Sequence, residues 1–286
     1  MQLRLRGQTI DCTNRTAVMG ILNVSDDSPI GSSIVPTSSA LDRAVELQRA
    51  GAEIVDIGAV STATGSRELE TQEEIDRVCP VIEAVAAAGI PTSVDTWNPA
   101  VARAAAAAGV QLLNDVSGFV EPEMVAVAGE LGLPCAVMHM RGKPAHHYEA
   151  DQTYEDIAGE VQAFLLERAA ALEAAGAGQV WLDPGFEFGK ALPDNLALFG
   201  GLRGLVATGR PVLISASRKG FFAELLGHEK RQDVSGLLEA TIAFNTLAAF
   251  EGVHVVRVHD VEPVARALAV VNGVRAHLAE ARSDEG

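Results

Sequence analysis

Eight short apolar runs recur along the 286-residue chain, and each stops at polar or charged residues just before a helix-compatible stretch. The runs are AVMGILN, EIVDIG, PTSVDT, QLLNDVSG, CAVMHM, QVWLDPG, VLISASRK and VHVVRVHD. Near their C-terminal ends stand Asn23, Asp56, Asp95, Asn114 with Asp115, His139, Asp183, Arg218 with Lys219, and Arg257 with His259 and Asp260. Strands that alternate with helices imply a parallel sheet. Eight such units favour closure into an α/β fold, a (β/α)8 TIM barrel, with an open doubly wound sheet as the competing arrangement. In a closed barrel the polar strand ends meet at one face, where barrels of this kind build their sites.

The length suits one barrel, and no linker-like tract interrupts the chain. Residues 1–286 are therefore read as a single domain, with the barrel over about 17–261 and a C-terminal helix over about 261–281. Residues 1–12 suggest a short strand or hairpin arm, and 25–39 and 60–70 read as loops. Helices are expected over 40–51, 71–88, 98–108, 121–131, 151–175, 194–207, 219–226 and 233–251, with 281–286 outside regular structure. Thr71 and Glu74 have capping-box spacing. Leu41, Val45 and Leu47 are expected to form the apolar side of the first helix.

A formal charge of −16 argues against nucleic acid and anionic membranes as general partners, because both require a positive surface. A small anionic substrate remains compatible where cations gather locally. Cys12, Cys79 and Cys135 are far apart and lack metal-ligand spacing, which fits a reducing cytoplasm. The first residues carry charge without a following apolar stretch, so no signal peptide is expected. No apolar run approaches the roughly 18–20 residues of a membrane span.

Asp183, at a barrel mouth, can accept two parallel hydrogen bonds from a flat guanidine-like edge, or it can fix the turn that follows. The segment through Lys190 is not a phosphate loop: the glycine spacing is wrong, and Ala191 stands where a magnesium-binding hydroxyl is needed. Arg218 and Lys219 lie at a helix start, where cations oppose the helix dipole, and this favours a functional use. Strand alternation puts Arg257 and His259 on one side, suited to an anion. Asp260 could orient a neighbour or form an ion pair. Asp95 and Asn114 lie on adjacent strands and offer mixed donors and acceptors to a heterocycle. Asn23, brought beside the last strand by closure, could join the anion site or ligate magnesium. Asp56 and Asp115 read as supports for loops and backbone amides, and His139 as a support of the barrel mouth. Phe186 and Phe188 could wall a flat ring.

Taken together, MGILNVS-DS, GAEIVDIG–ST, SVDT, NDVSG, VMHMRG-P, LDPGF-FGK, SRK–F and RVHDV resemble the dihydropteroate synthase family from about Ala17 to Val261. The resemblance implies a TIM barrel, often dimeric, that joins 6-hydroxymethyl-7,8-dihydropterin pyrophosphate to 4-aminobenzoate and releases pyrophosphate. It implies that Asp95, Asn114, Asp183 and Lys219 grip the pterin, with Phe188 beside it. Asn23, Arg257 and His259 would hold pyrophosphate, with Mg2+ near Asn23. Lys219, Arg257 and His259 would carry the catalytic electrostatics, and Thr62 and Ser217 would meet the second substrate.

The departures from the family pattern are clustered. Pro29 replaces an aromatic residue in the first loop, and Ala63-Thr64 replaces Arg-Pro in the second. Gly220 follows Lys219 where the family usually has Ser, and Glu187 replaces a usual Gly. The pterin and anion positions thus match while the aminobenzoate loops differ, so a paralogue with a different acceptor is a second version of the same reading. One-carbon transfer from a reduced folate and non-catalytic pterin binding are two competing functions. The SRK and RVHD segments favour a substrate bearing pyrophosphate.

Overall fold

A computed structural model of the protein describes residues 1–24, 35–60, 69–230, 232–233 and 236–284. An antiparallel hairpin, β1 (Gln2–Leu5) and β2 (Gln8–Asp11), precedes the barrel. The barrel strands are β3 (Ala17–Asn23), β4 (Ile54–Gly58), β5 (Thr92–Asp95), β6 (Leu112–Asp115), β7 (Cys135–Met138), β8 (Val180–Asp183), β9 (Leu213–Ile214) and β10 (Val255–Val258). All pair in parallel, in the order β8-β7-β6-β5-β4-β3-β10-β9. A bridge between Leu182 and Val212 closes the ring, and the Leu182 N–H donates to the Pro211 carbonyl at 2.8 Å. The closed barrel is the fold expected from the strand pattern, and the open sheet is excluded.

Alternation along each strand divides the interior into two layers. At the N-terminal end, Ala17, Met19, Ile54, Leu112, Ala136, Trp181, Leu213 and Val255 pack with Leu3, Leu5, Ile10 and Cys12 of the hairpin arm. The hairpin therefore plugs the barrel floor. Two residues further along the same strands, the inward positions become polar: Asp95, Asn114, Asp183 and Arg257. The outward positions, among them Val18, Val55, Leu113, Val137, Leu182 and Val256, belong to the core beneath the helices.

The helices are α1 (Ala40–Arg49), α2 (Thr71–Ala87), α3 (Pro99–Ala107), α4 (Pro122–Leu131), α5 (Ile157–Ala175), α6 (Leu192–Gly200), α7 (Leu202–Val206), α8 (Gly220–Leu225), α9 (Leu238–Phe250) and α10 (Val261–Asp284). Several expectations change. α5 starts at Ile157, not 151, because the Asp156 side chain accepts the Gly159 N–H at 3.1 Å and Asp151 is spent on a local turn with Thr153. The helix expected over 194–207 is broken into α6 and α7 at Gly201. Thr71 and Glu74 form no capping box: Glu74 instead accepts the Thr96 hydroxyl at 2.7 Å, beneath the end of β5. Leu41 is exposed, and Ala40, Ala44 and Leu47 form the buried side of α1. The last helix continues to Asp284. No helix among the described residues is long and apolar enough to cross a membrane.

Trp181 is fully buried in the floor and donates its indole N–H to Gln179 at 3.1 Å. Trp181→Ala is expected to lower the unfolding free energy by about 3–5 kcal/mol in a denaturant titration, since the hairpin blocks collapse of the void.

Candidate active site

The C-terminal mouth is organised by Arg257, which β10 projects inward. Its Nε donates to Asp56 at 2.6 Å, its Nη2 to Asp95 at 2.7 Å and its Nη1 to Ser215 at 3.3 Å. Asn114 donates to the same Asp56 oxygen at 3.3 Å. Four strand-end residues marked by the apolar pattern thus form one network. Asp56 holds side chains, and is not the support for backbone amides that its sequence position suggested. That task falls to Asp115, which accepts the Ser117 N–H at 2.7 Å and the Phe119 N–H at 3.0 Å. Sequence reasoning missed Ser215, although alternation places it inward two residues before Ser217.

Asp183 is almost wholly buried, and its Oδ1 accepts the Gly185 N–H at 2.8 Å. One oxygen therefore fixes the turn, and no hydrogen bond to the other is found among the described residues. Gly185 has φ +68, and a Cβ there would run into the His139 carbonyl, so this turn requires glycine. Lys190, fully buried, reaches across to the carbonyls of Gly185 at 2.7 Å and His139 at 3.3 Å. It ties the loops after β7 and β8 together, and nothing in its sequence context signalled that burial.

Lys219 lies over the Phe188 ring, with its Nζ 4.5 Å from the centroid. Phe188 packs with Val116, Met138, Met140 and the half-buried Trp97 to form an apolar wall. Phe186, by contrast, is buried in the outer core against Phe244. Arg218 does not act beside Lys219: it is bound by both oxygens of Asp260, with Nε–Oδ2 at 2.7 Å, and its N–H donates to Thr241 at 2.9 Å. Asp260 thereby fixes the loop that carries Lys219. His259 sits against Ser217, whose hydroxyl accepts its N–H at 3.1 Å and lies 2.9 Å from its Nδ1. Asn23 closes β3, next to Gly58 and close to Asp95. Thr62, with the substituted positions Pro29, Ala63 and Thr64, lies outside the described residues.

Burial sets the protonation pattern. It pushes the Asp183 carboxyl up to about 6 against the opposing pull of the Gly185 N–H, Lys219 and Arg257. It raises Asp95 above the usual carboxylate range while Arg257 opposes it. It lowers Lys219, with Glu187 resisting most, and lowers Lys190 to about 7. His259 falls to about 3, through burial and then through Arg257, Lys219 and Arg218, so it is neutral at physiological pH. The mouth therefore presents acceptors and an apolar wall on the β5–β8 side, and donors on the β9–β10–β3 side. Oδ1 of Asp95, Oδ1 of Asp56 and Oγ of Ser93 are buried without a hydrogen-bond partner among the described residues, which suits a donor-rich ligand or ordered water.

Residues 19–259 match the family model described as pterin binding enzyme. The dihydropteroate synthase of Escherichia coli (strain K12) is 38% identical over 95% of each chain. The chain belongs to the dihydropteroate synthase family. The crystal structure of the Thermus thermophilus dihydropteroate synthase in complex with 4-aminobenzoate is 40% identical, covers 96% of this chain and 99% of its own, and superposes with a TM-score of 0.84. The same enzyme in complex with 6HMPPP superposes with a TM-score of 0.81 at 39% identity, covering 96% of this chain and 98% of its own. The protein is thus a transferase of the dihydropteroate synthase type.

Removing one carboxylate from the Arg257 network strands a buried charge. Asp56→Ala is expected to destabilise the fold by about 3 kcal/mol in urea unfolding at neutral pH, while Asp56→Asn, which keeps an acceptor, is expected to lose less.

Proposed function

We propose that this mouth binds 6-hydroxymethyl-7,8-dihydropterin pyrophosphate and transfers its pterinylmethyl group to 4-aminobenzoate. The observation that carries this reading is the gathering of Asp95, Asn114 and Asp183 opposite the donors of β9, β10 and β3. The pterin's guanidine-like edge would donate to Asp183, whose second oxygen faces no competing hydrogen bond among the described residues. Asp95 and Asn114 would take further ring donors and acceptors, and Lys219 over Phe188 would meet a ring heteroatom.

Arg257, His259 and Asn23 would receive the pyrophosphate. Arg257 has five N–H donors and uses three on Asp56, Asp95 and Ser215, so two remain for phosphate oxygens. His259, which burial and the neighbouring cations hold toward the neutral form in the ligand-free chain, would contribute a hydrogen bond to a phosphate oxygen. The oxygen donor of Asn23 fits Mg2+, which accepts few protein ligands and completes its shell with phosphate and water. Asn23 would hold that ion, which supplies charge neutralisation on the leaving group. The exocyclic carbon–oxygen bond breaks, pyrophosphate leaves with its electron pair, and the electron-rich dihydropterin carries the transient positive charge. The arylamine nitrogen then forms the new carbon–nitrogen bond and releases its extra proton to the departing pyrophosphate or to solvent. Preorganised charge is the chain's contribution, with no covalent enzyme intermediate. Ser217 and Thr62 are assigned to the acceptor side.

Incubation with the pterin pyrophosphate, Mg2+ and 4-aminobenzoate tests the reading: pteroate and pyrophosphate are expected in equal amounts. Pyrophosphate without pteroate would point to a different acceptor, and pterin binding without release would remove the transferase assignment. Because the donors on the pterin edge require an ionised Asp183, affinity for the pterin is expected to weaken as pH falls through about 6. Asp183→Asn should flatten that limb in calorimetry and cost roughly ten- to a hundredfold in affinity at higher pH.

The protein is also read as one pterin-binding unit, acting in the cytoplasm as a homodimer. Leu247 and Phe250 on α9 and Val270, Val274 and Leu278 on α10 are exposed. They form apolar stripes at helical spacing on two helices that pack against each other. Light scattering is expected to give twice the 29.9 kDa of one chain, and Phe250→Asp combined with Val270→Asp to give the single-chain mass.

A further inference from the structure

Glu187 occupies a backbone position with φ +84, a region that favours glycine, yet it carries a long charged side chain. Its backbone is fixed on both sides: its N–H donates to Asn195 at 2.8 Å, and its carbonyl accepts the Lys190 N–H at 2.6 Å. The side chain crosses to the next loop, where Oε2 accepts the Phe221 N–H at 2.9 Å in the first turn of α8. That turn needs an outside acceptor. Its N-cap is Lys219, which has no side-chain acceptor to offer, and no acidic residue lies in the turn. Lys219 also brings positive charge to the positive end of the helix, which a carboxylate offsets. The neighbouring Phe188 carries the ring under the Lys219 ammonium. Two consecutive residues of the β8 loop thus hold the β9 loop, one through the helix start and one through the cation.

We propose that Glu187 is a positioning residue for Lys219: it ties the loop after β8 to the start of α8 and sets a fixed negative charge against the ammonium that reads the pterin. This rests on the assignment of Lys219 to the pterin. Lys219 lies within electrostatic range of Glu187, Arg257, Asp183 and Asp95, and it also acts on His147, Lys190 and His259. Among these charges Glu187 exerts the largest pull, and it works against the burial that favours the neutral amine. Without that charge Lys219 releases its proton at lower pH.

The test is the affinity of the intact protein for 6-hydroxymethyl-7,8-dihydropterin pyrophosphate, followed by calorimetry from pH about 7 to about 10. The wild type is expected to lose affinity on the alkaline side, below the ordinary lysine range, and Lys219→Met is expected to lack that limb. Glu187→Gln keeps a hydrogen-bond acceptor for Phe221 and should move the midpoint down by about one pH unit. Glu187→Gly suits the backbone and should show the same shift. A midpoint unmoved in both variants, with the wild-type limb intact, overturns the role of Glu187 alone. A wild type without the limb, matched by Lys219→Met with unchanged affinity, overturns the placement of Lys219 and this inference with it.

Discussion

The buried guanidinium of Arg257 determines how the rest of the mouth can be arranged. It meets carboxylates from β4 and β5 and a hydroxyl beyond β9, so one side chain links separate parts of the ring. Charges removed from water need several partners, and well-made pairs of this kind specify geometry more than they add stability. Asp56 is wholly buried and serves both Arg257 and Asn114. A shift of either strand by one residue would turn these groups outward into the apolar layer beneath the helices. The network therefore locks the strand register at the C-terminal mouth, while the hairpin and the Trp181 layer fix the other end.

The polar residues at the mouth divide into those that build loops and those that face the interior. Asp115, Lys190, Arg218 and Asp260 bind backbone groups or each other and set loop shape. Asn114 and Lys219 are bound mainly through their side chains, to Asp56 and over the Phe188 ring, and Asp183 spends one oxygen on the Gly185 turn. The distinction follows from strand parity and from the first bend after each strand. Asp115 lies one residue past the inward Asn114 and so points to the helix layer, where backbone amides are its available partners. Arg218 has φ +50, which turns it toward Asp260 and leaves Lys219 to enter the mouth.

Much of this was legible in the sequence because buried parallel strands leave an unmistakable trace: apolar runs that end at the polar face. The placement of Asp95, Asn114, Asp183 and Arg257 at neighbouring strand ends followed from that trace and from ring closure. Helix limits were less legible where tertiary contacts compete with periodicity. Glu74 has capping spacing with Thr71 but finds the Thr96 hydroxyl, and Leu41 has the right hydrophobicity but the wrong face. At Asp156 a side-chain cap overrides helix-forming residues upstream, since Asp151 and Thr153 satisfy their groups locally.

The sequence by itself determined the barrel, the family, and the set of side chains gathered at one mouth, because strand parity and order are written in the spacing of apolar residues. Only the tertiary structure decided how those side chains divide their hydrogen bonds. It gave Arg257 to Asp56 and Asp95, Arg218 to Asp260, Lys190 to two carbonyls, and Glu187 to the start of α8. Such partners lie far apart along the chain, and every polar group at the mouth has more than one chemically suitable mate. Distance and direction in the closed ring select among them, and that information exists only once the ring has formed.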